Sequence, residues 1–387
     1  MKKINYLIAS ALIGLIVAAC SQENGQENVQ EKETEATPAN AIISEKQNFL
    51  VDTITNQLKN PWGITFLSDG RILVTERAGE IRIIKDGKLL DEKIEGVPAV
   101  FAHGQGGLMD IVRHPDYENN GWIYFGYSKP GNDGGGTTIA LAKIEGNKLV
   151  ELEELFSASP FTDSGVHFGC RIVFDGKGYM YFSSGERGKM ENSQTLENHL
   201  GKVLRLHDDG RVPTDNPFVN QKGAKPEIWS YGHRNPQGLV YDLATNTLYD
   251  IEHGPKGGDE LNKVEKGKNY GWPVITWGIN YDGKPISDLQ EKEGMVQPLR
   301  YWVPSIAPCG AIIVTGDKYP NWKNNLLIGA LAMTHVARVE MEDQKYVKEE
   351  KLLDKMGRVR AIAQSPDGFV YVATENPGML VKIVPVQ

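Results

Sequence analysis

The sequence of 387 residues has only three cysteines and no apolar run long enough for a comfortable membrane span. Three cysteines are too few for a small disulfide-stapled protein. The apolar run from Ile4 to Val17 is shorter than the ~20 residues that a membrane-spanning helix needs. Positive charge is also scarce, since 42 Lys and Arg face 50 Asp and Glu and the net charge is −8. This balance argues against a nucleic-acid-binding protein, which normally has a basic face.

The N-terminus is typical of an export signal. Lys2 and Lys3 precede the apolar run, and Val17-Ala18-Ala19-Cys20 resembles the lipobox of bacterial lipoproteins, in which the cysteine is lipidated. We predict that residues 1–19 are a lipoprotein signal peptide and that Cys20 carries the lipid. The protein is then exported and attached to a bacterial membrane, facing the periplasm or at the cell surface, only through that lipid. An ordinary signal peptide with an incidental cysteine is the alternative.

The segment after the lipobox differs in composition from the rest of the chain. Residues 20–42 are rich in Glu, Gln, Asn and Thr and nearly free of apolar side chains, which predicts a flexible acidic tether. Overall, 40% of the residues are hydrophobic and 24% are charged, which is a globular composition. Residues 43–387 are therefore predicted to form the folded domain.

One pattern recurs from residue 60 onward. A short apolar segment is followed by a turn, often with Asp or Gly, and by a second segment of alternating apolar residues, which is typical of a β-hairpin. Each unit has room for about four strands, the content of one propeller blade, and no long helical period competes. The sequence predicts an all-β fold, a six-bladed β-propeller, with a pair of β-sandwiches as the alternative. The units begin near residues 62, 107, 170, 236, 310 and 359.

Several segments rich in polar residues and glycine stand where the strands of these units should end. Loops at the blade edges of a propeller converge on a central funnel, so residues far apart in sequence can share one site. We expect the functional site to be built from these segments. They cover residues 103–107, 165–171, 185–188, 231–238, 252–260 and 356–360.

In this order the segments resemble those of the soluble pyrroloquinoline-quinone (PQQ) sugar dehydrogenases, and among them the aldose sugar dehydrogenase-like proteins with a glucose/sorbosone dehydrogenase domain. The resemblance spans residues 45–385 and is most specific in the combination of 231–238 with 252–260. It implies an enzyme that depends on PQQ and Ca²⁺. Such an enzyme oxidises aldose sugars at the anomeric carbon to lactones, by general-base proton abstraction and hydride transfer to PQQ, and passes the electrons to an unidentified acceptor.

The resemblance also assigns the catalytic residues. His167 is the implied base, which suits a side chain whose pKa lies near neutral pH. Glu186 is the implied carboxylate that orients His167, although the family usually has Asp there, so one extra methylene has to be accommodated. Arg234 is expected to stabilise the negative charge that develops on the quinone oxygen.

PQQ carries three carboxylates, and arginine is well suited to hold them. This sequence departs from the family because a cofactor lysine would fall near Ala332, where no Lys is present. We therefore expect weaker PQQ binding, or binding through His335. At position 253 the sequence has His where the relative that we compare has Gln. The implied cofactor-binding residues are Gln105, Arg234, Asn235, His253, Ser305, Arg358 and Arg360.

Calcium is the second implied cofactor. Backbone carbonyls in the loop after residue 252 are expected to bind a Ca²⁺ beside PQQ, because hard cations accept such oxygens readily. One acidic residue is expected to support that loop, and a second carboxylate with a nearby carbonyl is expected to bind an additional Ca²⁺. The implied residues are, in the same order, Gly254, Pro255, Asp259, Glu260 and Tyr270.

The remaining two cysteines and two other functions complete the predictions. The predicted export places Cys170 and Cys309 in a compartment that permits disulfides, and we hypothesise a bond between them. The alternative is two small buried thiols. A Ca²⁺-dependent lactonase on the same fold stays open and would hold its metal through side-chain carboxylates and Asn at the funnel centre. A non-catalytic ligand-binding propeller also stays open, for which the change at Glu186 and the absent lysine are signs.

Overall fold

The computed structural model describes residues 38–386, which form six antiparallel sheets of four strands each. The innermost strands of neighbouring sheets contact one another around a closed ring, so the sheets are the blades of a six-bladed β-propeller. The predicted fold class is confirmed, and the pair of β-sandwiches is excluded. The predicted signal peptide, Cys20 and the tether up to residue 37 lie outside the described residues.

The first three blades follow the chain in order, each as an up-and-down meander. Blade 1 contains β2 (Pro61–Phe66), β3 (Ile72–Glu76), β4 (Glu80–Lys85) and β5 (Lys88–Lys93). Blade 2 contains β6 (Leu108–Arg113), β7 (Ile123–Gly131), β8 (Gly134–Glu145) and β9 (Lys148–Ser157). Blade 3 contains β10 (Ile172–Phe174), β11 (Tyr179–Ser184), β12 (Lys202–His207) and β13 (Ile228–Tyr231).

The next two blades repeat this order, and the last one takes a strand from the other end of the chain. Blade 4 contains β14 (Pro236–Asp242), β15 (Thr247–Glu252), β16 (Asp259–Val264) and β17 (Arg300–Trp302). Blade 5 contains β18 (Pro308–Ile313), β19 (Leu326–Ala330), β20 (His335–Glu342) and β21 (Lys345–Leu352). Blade 6 contains β22 (Val359–Gln364), β23 (Val370–Glu375), β24 (Gly378–Pro385) and β1 (Phe49–Thr55).

The ring closes through β1, the outermost strand of blade 6. It pairs antiparallel with β24, with Phe49 opposite Pro385 and Val51 opposite Ile383. Ile42, the last residue of the predicted tether, already exchanges two backbone hydrogen bonds with Phe49, at 2.8 and 3.1 Å. The folded part therefore begins just before residue 43. The pairing of β1 with β24 thus joins the N-terminal and C-terminal strands of the described residues in one blade and closes the ring.

Helix is scarce among the described residues. The helical segments are α1 (Tyr117–Asn120) and two 3-10 turns, Met190–Ser193 and Pro320–Trp322. Over residues 38–386, no helix has the length and apolar character to cross a membrane.

The core lies between neighbouring blades, where inner strands are buried on both faces. Cys170 and Cys309 are both buried here and both free, so the hypothesis of a disulfide is wrong. Each thiol faces a different neighbour. A Cβ on Gly126 of blade 2 would meet the Cys170 sulfur at 2.2 Å, whereas the Cys309 sulfur lies 2.9 Å from the carbonyl oxygen of Val359 in blade 6. They are two packed thiols, which was the alternative.

The meander explains why distant segments meet. In an up-and-down blade, the start of the first strand and the end of the second lie at the same edge. The connections that enter each blade, and those between its second and third strands, therefore share one face of the propeller. The polar segments identified in the sequence lie in these connections or immediately beside them, at residues 94–107, 158–171, 185–201, 232–235, 253–258, 303–307 and 353–358.

Candidate active site

The predicted base and its carboxylate partner meet at the edge of blade 3. His167 lies before β10 and Glu186 lies after β11, and the imidazole Nδ1 is hydrogen-bonded to Oε1 of Glu186. Glutamate therefore reaches the histidine directly, and its extra methylene is accommodated. The backbone N–H of Glu186 donates to the carbonyl of Arg234 at 2.9 Å, which ties this edge to blade 4.

The surroundings of His167 favour the neutral ring. Burial lowers the pKa of His167, and the charges of Arg234 and Arg187 lower it further against the opposing effect of Glu186. When Nδ1 carries the proton and donates it to Glu186, Nε2 is left as a proton acceptor. The pair is thus arranged as a general base with an anionic partner.

Gln105 reaches the same segment from blade 2. Its side-chain Oε1 accepts a hydrogen bond from the backbone N–H of His167 at 3.0 Å. The backbone N–H of Gln105 donates to the carbonyl of Gly165 at 2.7 Å. The close approach requires glycine at position 104, where φ is +61° and a Cβ would meet the Gly165 oxygen at 2.2 Å. Gln105 therefore holds the histidine segment, a contact that the sequence did not predict.

Arg234 and Asn235 are fixed by the edge of blade 4. The carboxylate of Glu252 accepts the backbone N–H groups of Arg234 at 2.6 Å and of Asn235 at 3.3 Å. The Nη1 of Arg234 donates to the carbonyl oxygens of His253 at 3.0 Å and of Gly254 at 2.8 Å. The guanidinium thus lies against one of the carbonyls predicted to bind Ca²⁺, which an ion would have to share with it.

Arg358 and Arg360 share one carboxylate in blade 6. Glu375 accepts from Nε of Arg358 at 3.3 Å and from Nε of Arg360 at 2.7 Å. Burial opposes ionisation of Glu375, but the two guanidinium groups hold its pKa below the ordinary value. Arg360 is buried and also donates to Gln237, whereas Arg358 is more exposed. The two arginines keep one net positive charge for a ligand.

Unpaired polar atoms gather at the same edge. The Oε2 of Glu186, the Nε of Arg234, the Nδ2 of Asn235 and the Nε2 of His253 are buried and find no hydrogen-bond partner among the described residues. An unpaired buried polar group costs about 1–3 kcal/mol, so such atoms call for an explanation. Two of these four atoms, on Arg234 and Asn235, are donors, the ring nitrogen of His253 donates in one tautomer, and arginines lie nearby. This set fits a planar anionic ligand with several oxygens, as a carboxylated quinone is.

The histidine in this set is unusual. Burial and the nearby charges of Arg360 and Arg234 place the pKa of His253 well below its ordinary value. His253 is therefore neutral beside two cations, and its backbone N–H donates to the carbonyl of Asn235 at 3.2 Å. His335 is the residue that we expect to bind PQQ in place of the absent lysine. Its side chain is buried, with Nδ1 bonded to the carbonyl of Met333 at 3.0 Å, so binding of PQQ through His335 stays a prediction and would have to use Nε2.

Asp259 supports the predicted metal loop. Its Oδ1 accepts the N–H of Gly254 at 2.8 Å, and its Oδ2 accepts the Ser305 hydroxyl at 2.7 Å together with two backbone N–H groups, those of Ile306 and Ala307. Burial raises the pKa of Asp259 to about 6. These bonds occupy the carboxylate, and the Ser305 hydroxyl proton is committed to it.

A buried acidic cluster lies below this loop, which the sequence reasoning missed. Ligand atoms of His233, Asp250 and Glu252 lie within 4.8 Å of one another. Among the described residues, no hydrogen bond of good geometry reaches the buried Oδ1 of Asn262 or either oxygen of Asp250, although Nδ1 of His233 lies 3.2 Å from Oδ2 of Asp250. The alternation Asp250-Ile251-Glu252, which places both carboxylates on one face of β15, was the available signal.

The predicted residues of the additional Ca²⁺ site border this cluster. Glu260 and Tyr270 line a cavity of ≈ 10 Å³ together with Glu252 and Gly254. That is about the room that one water-sized group needs. The oxygen-rich lining fits a hard cation, since the unpaired atoms nearby are acceptors. Pro255 is buried in the same loop.

Known proteins share this architecture and sequence. The glucose/sorbosone dehydrogenase family matches residues 58–382. The aldose sugar dehydrogenase YliI of Escherichia coli is 42% identical, over 87% of this chain and 92% of its own length. The crystal structure of the apo form of the soluble E. coli aldose sugar dehydrogenase superposes with a TM-score of 0.84 at 41% identity, covering 87% of this chain and 100% of that one. The PQQ-bound aldose sugar dehydrogenase of Streptomyces coelicolor superposes with a TM-score of 0.71 at 25% identity, covering 87% and 98%.

Proposed function

This chain belongs to the glucose/sorbosone dehydrogenase family of oxidoreductases, and from that premise we propose that it oxidises aldose sugars at the anomeric carbon to lactones with PQQ and Ca²⁺. The observation that carries the proposal is the hydrogen bond between His167 and Glu186 at the edge where unpaired buried atoms of Arg234, Asn235 and His253 also gather. A base and an anion-binding set on one face are what such an oxidation requires.

Two groups supplied from outside the chain complete the chemistry. When bound, PQQ supplies an electron-poor quinone that accepts a hydride, and Ca²⁺ supplies a Lewis acid beside it. The residues proposed to hold PQQ are Gln105, Arg234, Asn235, His253, Ser305, Arg358 and Arg360. The residues proposed for Ca²⁺ are the carbonyls of Gly254 and Pro255, with Asp259 in support and Glu260 and Tyr270 at an additional ion.

The protein's own part in the reaction is the management of one proton and of negative charge. Nε2 of His167 takes the proton of the anomeric hydroxyl while the anomeric hydrogen departs with the electron pair of the C–H bond, as the hydride that bound PQQ would accept, and the sugar becomes a lactone. Glu186 holds the imidazole through Nδ1 and stabilises the imidazolium that forms. Arg234 supplies positive charge beside the developing anion. The two electrons removed from the sugar are then passed to an unidentified acceptor, which would return the cofactor to its oxidised state.

Reconstitution tests the proposal. The pure protein is incubated with PQQ and CaCl₂, dialysed, and assayed for reduction of a redox dye with a panel of aldoses. We expect PQQ absorbance to stay with the protein and dye reduction to depend on both additions. If none of the aldoses supports dye reduction and all PQQ is lost on dialysis, the proposal is wrong.

The same sample separates the other two functions. A lactonase would hydrolyse a lactone without PQQ. The carboxylate cluster of His233, Asp250 and Glu252 argues against it, because these side chains are fully or almost fully buried and a substrate cannot reach a metal among them. A non-catalytic propeller would retain a ligand and reduce no dye. Neither outcome is expected.

We also propose that the protein is exported and anchored to a bacterial membrane through a lipid on Cys20. The basis is the sequence Val17-Ala18-Ala19-Cys20 alone. Labelling cells with a radioactive fatty acid should mark the wild-type protein and leave the Cys20→Ser protein unlabelled and released from the membrane fraction. Equal labelling of both would contradict this proposal.

A further inference from the structure

A second arginine stands directly beside the catalytic pair. Arg187 follows Glu186, is only 2% exposed and adopts a φ of +63°, a conformation that favours glycine. Its guanidinium carbon lies 3.4 Å from the ring centroid of Phe168, the residue after His167. A buried, stacked guanidinium at a turn needs a reason, because burial of a charge is costly unless the charge is paired.

The pairing explains the position. The guanidinium of Arg187 donates to two backbone carbonyls of the histidine segment, those of Ser164 and Val166. The carbonyl between them, that of Gly165, accepts from the backbone of Gln105. Every backbone acceptor from residue 164 to residue 166 is thus held by Arg187 or Gln105.

The two holders act on a single peptide group at the histidine. The Val166 carbonyl receives Arg187, and the N–H on the other side of that peptide, which belongs to His167, donates to the Gln105 side chain at 3.0 Å. His167 itself is left-handed, with a φ of +55°. Its ring direction therefore depends on a peptide that is gripped from both sides, and a planar two-pronged donor suits this grip better than an ammonium group.

The charge of Arg187 acts on the same histidine. The charged or titratable groups that face His167 are Glu186, Arg187, Arg234 and His253. His253 is neutral, so two cations stand against one carboxylate. Removing Arg187 would leave one cation and one carboxylate, which favours the imidazolium.

We propose that Arg187 is a positioning residue for His167: its guanidinium fixes the peptide that aims the imidazole, and its charge adds to the burial of the ring and to Arg234 in favouring the neutral imidazole. This inference rests on the proposed function, in which His167 is the base. It adds a residue that neither the resemblance nor the sequence pattern assigned a role.

Three variants test it. Arg187→Met keeps the volume and removes both fork and charge, and Arg187→Lys keeps the charge without the fork. Arg205→Met is the matched control, because Arg205 is a buried arginine of the same blade that stacks on Tyr179 and Trp229 and bonds Asp215, away from the pair. All proteins carry histidine labels for NMR, and His167 is assigned with His167→Gln.

The first readout needs no cofactor. The His167 ring is titrated by NMR in the protein without PQQ. We expect its midpoint to move to higher pH in Arg187→Met and to stay in place in Arg187→Lys and Arg205→Met. An unmoved midpoint in a folded Arg187→Met protein would overturn the electrostatic half of the proposal. If Arg187→Met does not fold, the Arg187→Lys variant still tests the other half.

The second readout uses the loaded enzyme. A small misplacement of a reacting group can cost about 10²-fold in rate, so we expect kcat to fall by about that factor in both Arg187 variants with little change in KM or in PQQ affinity. The acid limb of the pH–rate profile should shift to higher pH in Arg187→Met alone. A kcat that falls only in proportion to the folded fraction, as expected for Arg205→Met, would make Arg187 merely structural. If the wild type oxidises no sugar while the NMR shift appears, the proposed function fails and only the electrostatic effect of Arg187 on the His167 ring stands.

Discussion

Two histidines of neighbouring segments each lie against a carboxylate, but one ring is neutral and the other is a cation. His167 bonds Glu186 at the edge of blade 3, in a position that a ligand can approach. His233 lies 3.1 Å from Glu252 and 3.2 Å from Asp250, and its side chain is fully buried. Judged only by their histidine–carboxylate contacts, the two residues would be assigned the same role.

Their neighbours separate them. Burial lowers the pKa of both rings. At His167 the charges of Arg234 and Arg187 act in the same direction, and the pKa stays below its ordinary value. At His233 the carboxylates of Glu252 and Asp250 overcome burial and raise the pKa to about 9. The second ring is therefore a cation at neutral pH.

The comparison shows that a histidine–carboxylate contact does not by itself make a base. His167 is free to accept a proton because burial and the nearby cations keep its ring neutral, whereas His233 already holds two protons and donates Nε2–H to Ser230 at 2.8 Å. The neutral ring of His167 suits the proposed base. The charged ring of His233 instead pairs with Glu252, the carboxylate that holds the backbone of Arg234.

The largest expected effect is the loss of the base. Replacing His167 with Gln should lower turnover by about 10⁴-fold, the upper range for removal of a positioned general base, while PQQ remains bound. The measurement is steady-state dye reduction at saturating PQQ and Ca²⁺. His114→Gln is the control, because His114 bonds Asp208 on a different edge and should turn over normally. Unchanged turnover in His167→Gln would remove His167 as the base.

The second prediction concerns the buried histidine and is a matter of stability. Since the folded pKa of His233 is raised to about 9, its contribution is full below the ordinary value of ~6.5 and is lost as the pH rises towards 9. That contribution is on the order of 3 kcal/mol. Urea unfolding in EDTA at pH 6 and pH 9 should show a loss for the wild type that His233→Gln lacks. An identical pH dependence of both proteins would mean that His233 is not charged.

The third prediction changes the carboxylate of the catalytic pair. Glu186→Gln removes the anion that stabilises the imidazolium and presents an amide to Nδ1, so kcat should fall by about 10- to 100-fold, as for other carboxylates that orient a histidine. Glu186→Asp restores the residue usual in the family and should retain more activity than Glu186→Gln. If both variants lose the same fraction, the charge of Glu186 does not matter.

The smallest effect is expected at the cysteines near the two histidine segments. Because Cys170 and Cys309 are free and buried, a reducing agent should leave the melting temperature unchanged. Thiol titration of a protein that starts after Cys20 should find both thiols once it is unfolded without reductant. A protein that loses stability in reductant would show that they are bonded.

The fold was predictable where the signals are local. An apolar segment, a turn and a second apolar segment mark the first two strands of every blade, as in Trp62–Phe66 before Ser68-Asp69-Gly70. The role of β1 was not predictable in this way, because its partner β24 lies more than three hundred residues away and no short-range pattern joins them. The disulfide hypothesis failed because proximity to site segments does not fix which neighbour a thiol faces.

The site was predictable in part for a similar reason. Resemblance supplied His167 and Glu186, and the structure brings them together. It could not supply Arg187, since an arginine in Gly185-Glu186-Arg187-Gly188 is as compatible with a surface turn as with a buried grip on two carbonyls. The charge of His233 also could not be read from the sequence, because it depends on contacts with Asp250 and Glu252 of β15.

The most direct test of the account is the protonation state of the two rings in one sample. Nitrogen NMR of histidine-labelled protein with PQQ absent, titrated from pH 5 to pH 9, reports each ring nitrogen separately. The account predicts that at pH 7 the Nε2 of His167 carries no proton while both nitrogens of His233 do. A His167 ring that is charged at pH 7, or whose Nδ1 lacks the proton shared with Glu186, would contradict it.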